Sequence, residues 1–155
     1  MEVNEAIRTK RAIRQFADKP VLDEAAQAVL NAGRRSPTAS NKQYLTFIAI
    51  NDKSVQAQLA TTAPGAGHLG NAPLVVAIVA ADAGYGPTIT QFDIGQAAAY
   101  MMLEAWEQGL GSNVAMMPKA DIVKAALHLP DNVTCDWAIS FGYPKEETAA
   151  TPLKA

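Results

Sequence analysis

Apolar positions are densest between Phe92 and Gly111, in the stretch FDIGQAAAYMMLEAWEQGLG. Ala97, Ala98, Ala99, Met101, Met102, Leu103, Ala105 and Trp106 leave little room for a wet face. Gln96, Tyr100, Glu104 and Gln108 share one i, i+4 stripe. A helix apolar around most of its circumference is expected to be covered on most sides. Gly95 and Ala97, Ala98 and Ala99 are small enough to admit another backbone. Thr90 or Asp93 can cap its start, and Gly109 or Gly111 can end it in the left-handed conformation. The uninterrupted apolar run is shorter than the ~20 residues of a membrane span. The pattern predicts a central helix, either of one domain or of a dimer core.

Around this helix the chain alternates helical and β-type patterns. Val3, Ala6 and Ile7 predict a short first helix over Glu2–Thr9. Asp23 can cap a second, Glu24–Ala32, with Leu22, Ala25, Ala26, Val29 and Leu30 inward and Gly33 as its stop. Arg34–Gln43, RRSPTASNKQ, reads as a loop, and Tyr44–Ile50, YLTFIAI, as a strand. Asp52 can cap a helix over Lys53–Thr61, while Ala63–Asn71, APGAGHLGN, is too rich in glycine for regular structure. Leu74–Ala81, LVVAIVAA, reads as a central strand, with a loop over Asp82–Thr90 before the central helix. Asn113–Met117 and Thr134–Phe141 complete the strands, separated by a helix over Lys119–Leu127. Helices and strands mix without strict βαβ alternation, which predicts an α+β fold. Neither a Walker-type nor a G-x-G-x-x-G loop joins a strand to a helix, and GAGHLG at Gly65–Gly70 has no β-run before it.

Composition narrows the functional classes. A chain of 155 residues fits one domain, and a net charge of −2 gives no general attraction to nucleic acid or to anionic membranes. Any anion site must therefore be local. One cysteine, Cys135, excludes an internal disulfide, and two histidines leave few soft metal ligands. The N-terminal MEVNEAIRTKR has no long apolar core after its charges, so no secretory leader is expected and a cytoplasmic location is the default.

Two stretches can carry chemistry. Lys10, Arg11 and Arg14 place three cations within five residues, with the apolar Ile13 among them and Phe16 just after. They form either an anion-binding cluster or a solvated basic face. Thr38, Ser40, Asn41 and Gln43 offer hydroxyl and amide groups from one loop, able to read the edge of a heteroaromatic ring or simply to cap the loop. Arg34, Arg35 and His128 read as favourable charges at helix C-termini. His68, Asp93 and Ser112 assemble no triad, and Met116 and Met117 read as core. With no protein nucleophile beside a base, an enzyme built on this chain would leave the hard step to a cofactor.

Taken in order, four stretches resemble the nitroreductase family of flavin mononucleotide (FMN) oxidoreductases. TKRAIRQFADKPV (Thr9–Val21) is similar to the basic segment that opens such chains. SPTASNKQYLTFIAI (Ser36–Ile50) resembles a Pro-Ser-x-x-Asn-x-Gln-Pro-Trp loop running into a strand. DIGQAAAYMMLEAWEQGLGS (Asp93–Ser112) resembles the central helix with its Gly-Leu-Gly end, and LPDNVTCDWAISFGYPKE (Leu129–Glu146) the last core strand and its Gly-Tyr-Pro turn. The resemblance implies a nitroreductase-like α+β fold with a mixed or antiparallel sheet. It also implies an intertwined homodimer around the central helix, with FMN at the subunit interface. It implies that Lys10 and Arg11 hold the FMN phosphate and that Arg14 sits by the N1/O2 edge of the ring. Pro37, Thr38, Ala39 and Asn41 then reach the flavin of the other subunit, Val114, Ala115 and Met116 line the ring, and Lys154 contacts the phosphate.

The chain also departs from the family pattern. Ala12, in the phosphate-binding segment, stands where a Ser is frequent, and Tyr44 and Leu45 stand in place of Pro-Trp. Asp82–Thr90 is short, and the sequence ends one residue after Lys154. Two functions follow from the resemblance. One is an oxidoreductase passing electrons from NADH or NADPH through flavin N5 to a nitroaromatic or quinone by a ping-pong order. The other is a non-catalytic flavin- or nucleotide-binding dimer acting as a sensor or carrier. Nucleic acid and membrane are not expected partners.

Overall fold

The computed structural model describes residues 2–145. Among them, strands β1 (Leu45–Ile50), β2 (Leu74–Ala81), β3 (Gly111–Met116) and β4 (Val133–Gly142) form a four-stranded, fully antiparallel sheet in the order β1-β2-β4-β3. Helices α1 (Val3–Thr9), α2 (Asp23–Arg34), α3 (Lys53–Ala60), α4 (Gly86–Glu107) and α5 (Ala120–Leu127) surround it. The architecture is α+β, in agreement with the sequence pattern.

Alternation along β2 explains its unbroken apolar run. Leu74, Val76, Ile78 and Ala80 join the core beneath α2 and α4, with Met101, Ile139 and Phe141. Val75, Ala77 and Val79 join the opposite core beneath α3 and α5, with Leu59, Leu69, Met117 and Val123. Successive side chains point to opposite faces, so a strand covered on both sides must be apolar at every position.

Local chemistry sets several boundaries as expected. Asp52 caps α3, its Oδ1 accepting from the amides of Ser54 (2.8 Å) and Val55 (3.2 Å), and these two bonds lower its pKa. Gly109, at φ 74°, ends α4 in the left-handed region, and Leu110 N donates to Ala105 O at 2.8 Å.

Other boundaries move. The central helix begins at Gly86, with Pro87 in its first turn, so the expected Asp82–Thr90 loop shrinks to its first few residues. Thr90 and Asp93 are therefore inside the helix rather than caps; Thr90 Oγ1 donates back to Gly86 O at 3.0 Å. Pro in the first turn costs no intrahelical hydrogen bond and presets φ, which is why the helix can start there. Gly111 does not stop α4 but opens β3. Pro64–Leu69, expected to be irregular, forms a short 3-10 turn that buries Ala66, His68 and Leu69. Gly33 is not the stop of α2 either, because the helix continues to Arg34. A Cβ there would meet Met101 Sδ at 2.9 Å and the Phe47 ring at 3.2 Å, so this glycine lets α2 and α4 close over β1.

On α4, Ile94, Ala97, Ala98, Met101 and Ala105 are buried within the subunit, while Phe92 is 69% and Tyr100 45% exposed. Ile89, Gly95 and Ala99 share that open side. Among the described residues, no helix is long and apolar enough to cross a membrane.

Cys135 lies in the core beneath α5, and burial, followed by the Asp136 carboxylate, pushes its thiol up to about 12. Because the thiolate is the reactive form, native protein at about pH 8 is expected to resist a thiol reagent that labels the urea-unfolded chain fully. Equal labelling rates for the two states would contradict this placement.

Candidate functional site

The basic segment is stitched to the outer edge of the sheet. Ala12 pairs with Ser112 in a parallel bridge, Ile13 N donates to Ser112 O at 3.0 Å, and Phe16 bridges to Pro144. Ile13 and Phe16 are the buried anchors. They fit because β3 and β4 offer glycines beneath them: a Cβ on Gly111 would lie 2.6 Å from Ile13 Cβ, and one on Gly142 would lie 2.8 Å from the Phe16 ring. Around these anchors Ala12 and Arg14 remain exposed, while Lys10 and Arg11 are half-buried.

Lys10 is the most telling of the four. Its Nζ reaches Met102 Sδ of α4 at 3.5 Å, and burial pushes its pKa down. A thioether is a weak acceptor for an ammonium. A half-buried cation with so poor a partner suits an anion arriving from outside.

The strand to which the segment pairs, β3, presents an uncovered apolar strip. Val114 is 38% and Met116 51% exposed, whereas Ala115 points into the core beneath α5 and leaves only its backbone for that surface. Met116 is thus surface rather than core; Met117 is core as expected. Ser112 belongs to the same side of the strand by alternation, and its Oγ is buried without a hydrogen-bond partner. Cations, an unused hydroxyl and a flat apolar strip together fit a planar ring carrying an anionic group.

The second predicted stretch forms a separate structure. Pro37–Gln43 contains a 3-10 turn at Ala39–Asn41, and Ser40 (φ 47°), Asn41 (φ 55°) and Gln43 (φ 53°) all lie in the left-handed region without being glycine. Such conformations each cost on the order of 1–3 kcal/mol and persist only where surroundings enforce them. Thr38 Oγ1 accepts from Gln43 N (2.9 Å), and Gln43 Nε2 donates to Asn41 Oδ1 (2.6 Å). From outside the loop, the buried carboxylate of Asp93 accepts from Ala39 N (2.8 Å) and from Tyr44 OH (2.7 Å), both at Oδ2. Gln96 Nε2 approaches Oδ1 at 3.3 Å. Burial, then the bond to Asp93, raises the Tyr44 pKa, which keeps the phenol a donor.

Within one subunit the two stretches do not meet. β1 and β3 are the outer strands, three inter-strand spacings or about 14 Å apart. The register also puts them at opposite ends: Leu45 pairs with Ala80, whereas Ser112 pairs with Phe141, which pairs with Leu74. The loop and the basic segment occupy diagonal corners of the sheet. Helix α4 spans the diagonal, contacting the loop through Asp93 and Lys10 through Met102. Lys154 lies outside the described residues.

A polar group that the sequence reading left isolated lies behind Arg14. His68 is buried, with Nδ1 2.7 Å from Ser140 Oγ and Nε2 2.9 Å from Asn113 Nδ2, and Ser140 Oγ donates to Asn113 O at 3.3 Å. An amide donor at Nε2 makes that nitrogen the acceptor and leaves the proton on Nδ1. No local pattern announces this network, because its members lie 72 and 45 residues away from His68 along the chain. Burial, then the Arg14 charge, lowers the His68 pKa, with a backbone bond at Val114 opposing.

The sequence model of the Nitroreductase family matches residues 7–63 and 61–143. The chain belongs to this family. A protein of Archaeoglobus fulgidus, provisionally named an NADH dehydrogenase/NAD(P)H nitroreductase, is 28% identical over 152 residues, covering 91% of this chain and 84% of that one. A structure from Desulfovibrio desulfuricans, provisionally named a nitroreductase and solved in complex with FMN, superposes with a TM-score of 0.88 at 26% identity, over 100% of this chain and 92% of that one. An FMN-dependent nitroreductase from Clostridium difficile superposes at 0.86 with 26% identity, over 92% and 88% of the two chains.

The lowered His68 pKa has a definite sign for stability. As pH falls through about 6.5, the unfolded chain takes up a proton that the folded chain refuses. Stability is therefore expected to fall below that pH, by at most about 1.4 kcal/mol per unit, until the folded pKa is reached. Urea midpoints measured between about pH 7.5 and 5 should show this slope, and His68→Gln should flatten it. An identical slope in the variant would contradict a neutral, buried His68.

Proposed function

We propose that this protein is an FMN-dependent oxidoreductase that draws electrons from NADH or NADPH and delivers them, in a ping-pong order, to a nitroaromatic or quinone acceptor. The observation that carries the reading is the half-buried Lys10 ammonium on a segment paired to β3, the strand whose Val114 and Met116 lie uncovered. FMN held there would supply the hydride and electron-transfer chemistry that no side chain of this chain provides.

The chain's own residues bind and tune. Lys10 and Arg11 neutralise the phosphate, with the backbone at Ala12 alongside. Arg14 places positive charge at the N1/O2 edge of the ring, where it stabilises added electron density. Val114 and Met116 cover one ring face with apolar surface, joined by the backbone of Ala115. Pro37, Thr38, Ala39 and Asn41 serve the site of a second subunit, since they lie at the opposite corner from their own basic segment. Lys154 is proposed as a further phosphate contact. The working unit is then a homodimer of single-domain, cytoplasmic chains, with the open side of α4 at its centre.

Purified protein is expected to be yellow and to release about one FMN per chain. Arg14→Ala should weaken FMN binding about tenfold or shift its potential, as read by fluorescence titration and redox titration. Oxidation of NADH or NADPH with a quinone acceptor should exceed the background of free FMN. A yellow protein without such turnover would favour the non-catalytic binder.

The dimer has its own test. A Cβ on Gly95 would meet nothing within 4 Å, whereas Ala98 is buried in its own core. Gly95→Trp should therefore leave the subunit folded but halve the mass measured by sedimentation, by overpacking the interface. An unchanged dimer mass would count against α4 as its centre.

A further inference from the structure

A carboxylate in the middle of a helix has no free helical amide to bind, and Asp93 is also buried at 3% exposure. Its burial is offset only if donors come from elsewhere in the fold. Tyr44 OH and Ala39 N supply them, 2.7 and 2.8 Å from the same oxygen. One of these donors immediately precedes β1, and the other is the backbone of the loop in front of it.

We infer that Asp93 and Tyr44 form a latch that holds the loop Pro37–Gln43 in its left-handed conformation, presenting donors to the cofactor ring of the adjoining subunit. The inference rests on the FMN reading above and extends it to two positioning residues that do not themselves touch the ring. Three left-handed non-glycine residues within four positions would not hold their shape unaided. Ala39 N is the point where the loop is tied to α4. Inside the loop, Thr38 Oγ1 and Asn41 Oδ1 are already used as acceptors by Gln43. The hydroxyl proton of Thr38 and the amide protons of Asn41 remain, so the loop is set to meet acceptor atoms such as ring carbonyl oxygens. Tyr44, which stands where the family pattern has Pro-Trp, thus fixes the loop with a hydrogen bond.

The test compares wild type, Tyr44→Phe and Ile94→Val as full-length dimers. Ile94 is buried beside Asp93 but takes no part in the latch, so its variant lowers stability without loosening the loop. In apo protein, Tyr44→Phe should speed hydrogen exchange at the Ala39 amide about tenfold and hasten trypsin cleavage after the exposed Lys42. It should also raise the FMN dissociation constant about tenfold with the dimer mass unchanged. Ile94→Val should lower the melting temperature and leave loop exchange and FMN affinity as in wild type. Should Tyr44→Phe fail to fold, Asp93→Ala tests the same contact, because it removes the one oxygen that accepts from both Tyr44 OH and Ala39 N.

Wild-type exchange at Ala39 in the Tyr44→Phe protein would overturn the latch. Faster exchange with unchanged FMN affinity would overturn its positioning role, as would equal loosening in Ile94→Val. A wild type that takes up no FMN would remove the cofactor reading and the ring-positioning claim with it, while the exchange comparison would still decide the latch by itself.

Discussion

The structure depends on how α4 is kept from water. Ile94, Ala97, Ala98, Met101 and Ala105 lie against the sheet and α2, and Gly33 permits the close approach. The helix still carries Phe92, Tyr100 and Ile89 on an open side. Apolar surface of this extent on one helix is the usual mark of an interface. The same helix carries the contacts that organise both candidate binding elements, through Asp93 at one corner and Met102 at the other.

Electrostatics here are local. A chain with net charge −2 has no overall pull on anions, yet it gathers Lys10, Arg11 and Arg14 on one edge of its sheet. The segment is held by backbone pairing with Ser112 and by two buried anchors, Ile13 and Phe16. That arrangement fixes where the cations stand on the sheet edge. Behind them His68 stays neutral, because Asn113 and Ser140 satisfy its ring nitrogens and burial and Arg14 disfavour a second charge. At the opposite corner the loop before β1 is organised by a buried carboxylate, so the two elements are stabilised by different means.

Much of this was legible from residue order alone. Both-face coverage of β2 follows from an apolar side chain at every position, and the cap of α3 from Asp52 just ahead of its amides. The family was legible from four motifs in order. The start of α4 was misread because Thr90 and Asp93 are good capping residues, and nothing local says that Pro87 begins the helix first. Gly33 was misread as a stop because a glycine needed for packing and one needed for a turn look alike in sequence. Met116 was read as core because hydrophobicity does not distinguish the covered face of an edge strand from its open one.

The sequence by itself determined the element types, the antiparallel-capable α+β pattern, the placement of three cations around Ile13 and ahead of Phe16, and the membership of a family. Those properties depend on periodicity and on residues close together in the chain. The tertiary structure alone decided that the loop and the basic segment sit at diagonal corners, that Asp93 binds Tyr44 and Ala39, and that His68 is buried against β3 and β4. Each joins groups tens of residues apart, and sheet order and register bring them together. A linear pattern records which face a side chain prefers; it does not record what waits for it there.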